Sequence, residues 1–461
     1  MTSLMKPVMA SPFSEQMLDD FRKQGDPLAD EVIEVFATQY GASVQELVEK
    51  LESMIRMPGD DEMLMQIKKL FSENTEICNA LEKYFTLADK SPDWADEKKL
   101  TLGAHVFQDH FFTCTTALAC ASLPVCYVCQ PDVKVLSFTR RFIDKAIIRI
   151  VETAQMVTDV MGNGGITVKN GHLSGKGIQS VLKIRLIHAS IRYLMINKEQ
   201  LLSADHCDHS HSKNFLMTYI LESAQDNHHW YGDKKPGAWD IEKDGVPINQ
   251  EAAALALLTF SYVILRGLKT IGVKLNSQQQ DAYMHSWNMV GHVLGVNEQF
   301  LKEFENYERA EVIYKQIILR RRGYTEDGAL LEQALLNAFA ITADQLVPIK
   351  GIIPFKYLAK MTTSILLPKE SYKALGFKLR IHDYFFRFII FIFLRLFAAC
   401  VNIGFLRPIA DFMFKFIARS VWGWRDELNN ENMKKQTGVC NPLVVPHHLI
   451  KSSYLSGRYK N

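Results

Sequence analysis

Cysteine is scarce in this chain: eight residues in 461, too few for the disulfide framework of a small secreted fold. Charge of one sign is equally absent as a theme. Lys and Arg number 53 against 51 Asp and Glu, and no basic block is interleaved with aromatics. That removes the electrostatic and stacking platform nucleic-acid binding requires. The stretch from Met1 to Phe13 has one lysine and no apolar core of signal-peptide length, so a reducing cytosolic setting is the expectation for the main body. No Gly-rich phosphate loop, no G-x-S-x-G and no H-E-x-x-H occurs, which sets aside the commonest nucleotide, serine-hydrolase and zinc-protease chemistries. Period-2 alternation bounded by turn signals is hard to find.

What is there is helical patterning nearly throughout. The apolar share, 48%, and the charged share, 23%, match an ordinary packed globular chain and argue against long disorder. Residues 27–56 and 61–87 read as amphipathic helices, and Thr101 to Tyr127 as a nearly continuous buried run. Ser137 to Met161 is a long helical pattern stopped by Asn163-Gly164-Gly165. Gly175 to Ile196, Glu251 to Ile271 and Ser277 to Leu294 follow, with Asp233 to Pro247 as the clearest interior loop. The class expected is all-α. A second region starts near Glu311 and contains the most apolar segment, Tyr384 to Leu406. Its length suits a bilayer span, but Arg387 and Arg395 interrupt it, each costing roughly 2.5–3.5 kcal/mol at mid-bilayer. They lie on roughly one helix face. Arg407, Lys415, Arg419 and Arg425 follow, with Trp422 and Trp424 nearby, a mixture that suits a helix lying in a membrane interface. Packing on the main domain is the other reading.

The segment V-L-K-I-R-L-I-H-A-S-I-R-Y-L-M, residues 181–195, is apolar at most positions and so predicted to be buried on most sides. Arg185, His188 and Arg192 share one face. Arginines on a buried helix need anionic partners. A haem offers its propionates to them and its iron to the neutral imidazole; protein carboxylates around a core histidine satisfy the same pattern. One helix earlier, a polar stripe of Arg141, Lys145, Arg149 and Thr153, with Glu152 beside it, is either a salt-bridged surface face or a wall that binds dioxygen.

These two helices are where the chain resembles the family of rubber oxygenase and the ER-bound oxygenase of mycophenolic acid synthesis. Q-G-D-P-L-A-D at 24–30 is similar to the family's opening motif. G-A-H-V-F-Q-D-H and S-L-P-V-C-Y-V-C within 103–129 resemble its next block. R-I-V-E-T at 149–153, G-K-G-I-Q-S-V-L-K-I-R-L-I-H-A-S-I-R at 175–192, G-V-P-I-N-Q at 245–250 and Tyr283 to Val296 follow in the family's order. A weaker similarity continues through Leu366-Leu367-Pro368. The resemblance implies that His188 is the proximal ligand of a non-covalent haem b, with Arg185 and Arg192 as cofactor-binding neighbours. It implies Arg149 and Thr153 as distal-pocket residues. The rubber enzymes carry a lysine just before that threonine; here the position is Glu152, which either acts as a base in its place or leaves the sixth site to water. Their separate glutamate base has no match in this sequence.

The expected organisation is a single large helical haem-binding catalytic domain over 1–310, with an appended C-terminal apolar helical region over 311–461 carrying interface helices at about 377–425. The implied reaction is oxidative cleavage or oxygenation by dioxygen of an apolar, isoprenoid or lipid-like substrate such as a polyprenyl chain. The location expected is the cytoplasm or the periphery of a membrane. Two alternatives remain: a non-haem metalloenzyme on the same scaffold, and a membrane-associated haem- or lipid-binding protein without turnover. His206, Cys207, Asp208, His209 and His211, with His228 and His229, are the metal ligands the first of these would use, against a solvated loop. His105 and Asp109 with His110 make a weaker half-site. Cys126-Tyr127-Val128-Cys129 lacks the histidine that covalent haem attachment needs. With Cys114 and Cys120 these thiols read as small buried hydrophobes rather than zinc ligands.

Overall fold

The computed structural model of the protein describes residues 10–55, 63–138, 146–197, 239–346 and 354–403. Helices dominate, as the patterning predicts, and their starts are chemically marked. Ser14, Asn74, Asp96, Asn249, Asn276, Asn297 and Asn306 each precede a helix and accept a backbone N–H of its first turn through the side chain, satisfying donors that a helix leaves open. Several long stretches expected from sequence are broken at such signals. The pattern over 27–56 divides into Pro27–Tyr40 and Val44–Ile55. That over 61–87 divides into Met63–Leu70 and Thr75–Ala88, the second opened by the Asn74 cap.

The apolar run after Thr101 becomes the helix Glu97–Asp109, then a second helical course from Phe111 to Cys126. The latter contains a π-helical turn at Leu118–Ser122, buried throughout. Such turns disturb regular bonding and recur at functional sites. The helix Ala146–Met161 ends near Gly162, and the chain then forms a two-stranded hairpin, Thr167–Lys169 with His172–Ser174. Asn170 and Gly171 turn it with φ of 53° and 77°, the positive-φ pair that tight hairpins prefer. Sequence patterning did not reveal this hairpin, because three-residue strands are too short to show a period. Next comes the helix Lys176–Ile196, which packs between Ala146–Met161 and Pro27–Tyr40.

The helix Glu97–Asp109 runs along Ser277–Val293. Beyond it, Tyr307–Arg321 and Glu326–Leu346 continue the same body. One continuous cluster of buried apolar residues extends from Phe13 to Ala398, and no break in it coincides with the boundary expected at residue 310. Arg320 and Arg321, just past that boundary, both bind the fully buried Glu251 at 3.0 and 2.8 Å, while Arg321 also takes Asp132 at 2.6 Å. These pairs tie the helix Tyr307–Arg321 to Gln250–Phe260 and to Gln130–Phe138 by buried charge.

Candidate functional site

Three of the sequence strings singled out above, Q-G-D-P-L-A-D, G-V-P-I-N-Q and the block ending at Val296, meet around the two arginines of the helix Lys176–Ile196. Arg185 is buried and donates from Nε and Nη2 to both carboxylate oxygens of buried Asp26, at 2.6 and 2.7 Å, and from Nη1 to the Val293 carbonyl at 2.9 Å. Arg192 pairs with Asp30 through Nη1 and donates to the carbonyls of Pro247 at 3.0 Å and Ile248 at 3.1 Å. Ile248 holds φ at 52°, an unfavourable region for a β-branched residue, and in that position its carbonyl accepts the guanidinium. Gln250 ties the remaining strings together, donating to the carbonyls of Gly25 and Gly295 at 2.8 and 2.9 Å while accepting from the Asn297 amide at 2.8 Å. Two glycines make room for the guanidinium groups. A Cβ at Gly295, where φ is 75°, would lie 2.5 Å from Arg185, and one at Gly25 would lie 2.8 Å from Asp30 and 3.3 Å from Arg192.

Within the chain the anionic partners of the two arginines are Asp26 and Asp30. For Arg185 the pair is bidentate and takes up two guanidinium donors.

His188, one turn from Arg185 on the same helix, has a different environment. It makes no hydrogen bond or ion pair among the described residues. It is half-buried by surface, yet burial followed by the nearby charge of Arg192 pushes its imidazole down to about 4. Burial and charge thus keep it a neutral base with a free nitrogen lone pair. The charge of Arg149 also reaches it and acts in the same direction. Arg149 is carried by the helix Ala146–Met161, which packs on the histidine's helix. Arg149 forms an ion pair with Glu152 one turn on, and Thr153 donates its hydroxyl to the Arg149 carbonyl at 2.9 Å. All three are half-buried. Arg141 and Lys145 of the expected stripe lie outside the described residues.

A residue the sequence reading missed lies on the helix Glu326–Leu346, which packs against Ala146–Met161. Glu332 is fully buried, with no partner for either carboxylate oxygen among the described residues, and burial pushes its carboxyl up to about 8. Its charge acts on Tyr127 and Cys120, placing it beside the π-helical turn, and Arg149 acts on the same Tyr127. The signal was available: in A-L-L-E-Q-A-L-L, Glu332 occupies the apolar stripe with Leu335 and Leu336 instead of the outer face.

Cys114, Cys120, Cys126 and Cys129 are free thiols, and burial raises all four, Cys120 and Cys126 to about 12. Among the described residues no three His, Cys, Asp or Glu side chains gather at metal-binding distance. The dense stretch His206–His211, with His228 and His229, lies outside the described residues. For an iron porphyrin, the donor chemistry present fits at one point, the neutral and partnerless His188 imidazole.

The family model described as ER-bound oxygenase mpaB/B'/Rubber oxygenase, catalytic domain, matches residues 134–401. That range begins after the first three of the similar strings and runs past residue 310. The rubber oxygenase of Streptomyces sp. (strain K30) is 20% identical over 268 residues, covering 56% of this chain and 53% of that protein. The chain thus spans about half the length of this curated relative. A solved structure of latex clearing protein LCP in the closed state superposes with a TM-score of 0.56 at 17% identity, covering 82% of this chain and 85% of that one. At that identity the superposition shows a shared fold, mainly helical.

Proposed function

Because the chain belongs to the family of ER-bound oxygenases mpaB/B' and rubber oxygenases, we propose that it is a haem b-dependent oxygenase acting with dioxygen on an apolar, isoprenoid or lipid-like substrate. The reading is supported by one observation above the others: the His188 imidazole is neutral and without a hydrogen-bond partner among the described residues, and the charge of Arg149 reaches it. The haem is held non-covalently, with His188 on its iron. Bound there, it supplies dioxygen activation.

The remaining work falls to side chains of this chain. His188 stays unprotonated at neutral pH, because burial and two nearby guanidinium charges oppose a proton on it. Arg149 offers charged donors to oxygen atoms that gain negative charge, the kind of fixed polarity that lowers a barrier most in a dry site. Glu152 holds that guanidinium by an i, i+3 ion pair and offers a carboxylate to take up a proton from substrate. Thr153 has its hydroxyl turned to the Arg149 carbonyl and orients substrate oxygen by rotating about χ1. In the overall reaction one dioxygen and one carbon–carbon double bond give two carbonyl products, with no further reductant. The place of work is the cytoplasm or the surface of a membrane.

Oxygen uptake with a polyprenyl substrate, together with mass spectrometry of trapped carbonyl products, tests this function. Haem-loaded wild-type protein should consume oxygen in step with carbonyl formation. Arg149→Ala and Thr153→Ala should keep the cofactor and lose turnover, the former by about a hundredfold, the usual scale for removing one charge-stabilising donor. Stoichiometric haem without oxygen uptake on any apolar substrate would favour a binding protein instead.

A further inference from the structure

Among the described residues, two segments are long and apolar enough to cross a membrane, and they are treated in opposite ways. Gln250–Ile271 is a core segment, 78% buried, whereas Ile381–Asn402 has a higher mean hydropathy, 2.1, and is 22% buried. The helix Ile381–Asn402 has an inward stripe, including Leu394, Phe397, Ala398 and Val401, which packs on Phe355–Leu366 and Tyr262–Ile271. A soluble protein would make the opposite stripe polar. Here Ile381, Phe385, Phe388, Ile392 and Leu396 follow one another at helical spacing, with exposures of 92, 63, 62, 41 and 62%.

Charge is segregated to the same part of the chain. Residues 354–403 carry eight Lys and Arg against two carboxylates, Glu370 and Asp383, while the whole chain is nearly balanced at +2. Asp383 is buried, accepting from the Tyr357 hydroxyl at 2.6 Å and the Arg380 amide at 2.7 Å. Glu370 is therefore the one exposed acid in the segment. At the helix's start, Lys373 and Lys378 line, with Tyr324, Tyr372 and Tyr384, an open cleft of about 770 Å³. Apolar and aromatic bulk beside clustered cations is the pattern that binds the headgroup boundary of an anionic bilayer.

We propose that the outer face of Ile381–Asn402 docks flat on an anionic lipid surface, with the lysines at its start against the headgroups. A transmembrane course is disfavoured by how the helix is fastened. Tyr357 holds Asp383 at one end, and Asn402 donates to the Gly272 carbonyl at 2.8 Å and accepts the Lys274 amide at 3.0 Å at the other. Arg387 lies over the Tyr372 ring and Arg395 over Phe391, arrangements a span would have to abandon. The proposal names the surface for the peripheral location given above, and it stands whether or not haem binds.

The test is flotation of the full-length chain with phosphatidylcholine vesicles containing about 30 mol% phosphatidylserine, against phosphatidylcholine alone. Wild-type protein should float with the anionic vesicles and be released by about 0.5 M salt, which screens the headgroup attraction. Phe385→Ser/Phe388→Ser/Leu396→Ser, replacing side chains already in solvent, should keep the helical circular dichroism signal and bind about tenfold less. Lys373→Glu/Lys378→Glu should lose the preference for anionic vesicles, a second readout if the serine variant fails to fold. Wild-type protein that stays at the bottom, or variants that float as well as it does, would overturn the proposal. So would light scattering that shows a wild-type dimer and a monomeric serine variant with no flotation, which would assign the face to a second copy of this chain.

Discussion

Two neighbourhoods on the helix Lys176–Ile196 lie within two turns of each other and follow opposite rules. Around Arg185 and Arg192 the charged groups are matched: Asp26, Asp30 and three backbone carbonyls take the guanidinium donors. Toward Arg149 the pattern differs: among the described residues neutral His188 has no hydrogen-bond partner, and buried Glu332, which acts on Tyr127, has none for either carboxylate oxygen. Buried polar groups are normally satisfied, and one that is not needs a reason. The first neighbourhood therefore serves structure, locking the histidine's helix to the chain's first long helix and to the loop before Asn249. The second holds a neutral imidazole and a buried carboxyl that have no partner among the described residues.

Breaking the matched side should cost most. Asp26→Ala strands the Arg185 guanidinium in the core and should lower unfolding free energy by about 3–5 kcal/mol, read by urea denaturation. A loss under about 1 kcal/mol would mean that the pair is solvated and the contrast between the two neighbourhoods is false.

The open side should respond the other way. The folded-state value of about 8 for Glu332 lies above its ordinary 4.5, so the folded state holds the proton more tightly. The stability this lends is complete below pH about 4.5 and is lost as pH rises through about 8, at no more than about 1.4 kcal/mol per pH unit. Glu332→Gln should therefore be more stable than wild type, by a margin that grows from pH 5 to pH 8 in thermal melts. A margin that stays flat would show that water or a partner reaches the carboxyl.

His188→Ala should have the smallest effect on the cofactor-free fold, about 1 kcal/mol or less at pH 7, since no bond is lost. Its sign with pH is opposite to that of Glu332. The imidazole's folded value of about 4 lies below 6.5, so its contribution is present above pH 6.5 and lost as pH falls through 4. The variant should lack that part of the acid sensitivity in the same melts.

Much of this was legible in the sequence. Helical period gave the class, and the strings around 24–30, 149–153 and 175–192 pointed to the family and to His188. What sequence could not resolve was which anions meet Arg185 and Arg192, because Asp26 and Asp30 lie about 160 positions away and only tertiary packing brings them together. The hairpin at Thr167–Ser174 escaped through shortness, although Asn170-Gly171 marks its turn. The boundary expected at 310 follows the end of the family-like strings near Val296, and the pairs of Glu251 with Arg320 and Arg321 across it join residues too far apart to show in the sequence. Glu332 was hidden by its surroundings, a single acid within an otherwise ordinary apolar stripe.

The most direct test of the central claim is an absorption spectrum of protein expressed with ample haem, wild type beside His188→Ala, with circular dichroism on both. The account predicts a Soret band near one haem per chain in wild type and its loss in a variant that keeps its helices. A colourless wild type, or a variant with an undiminished band, would contradict it.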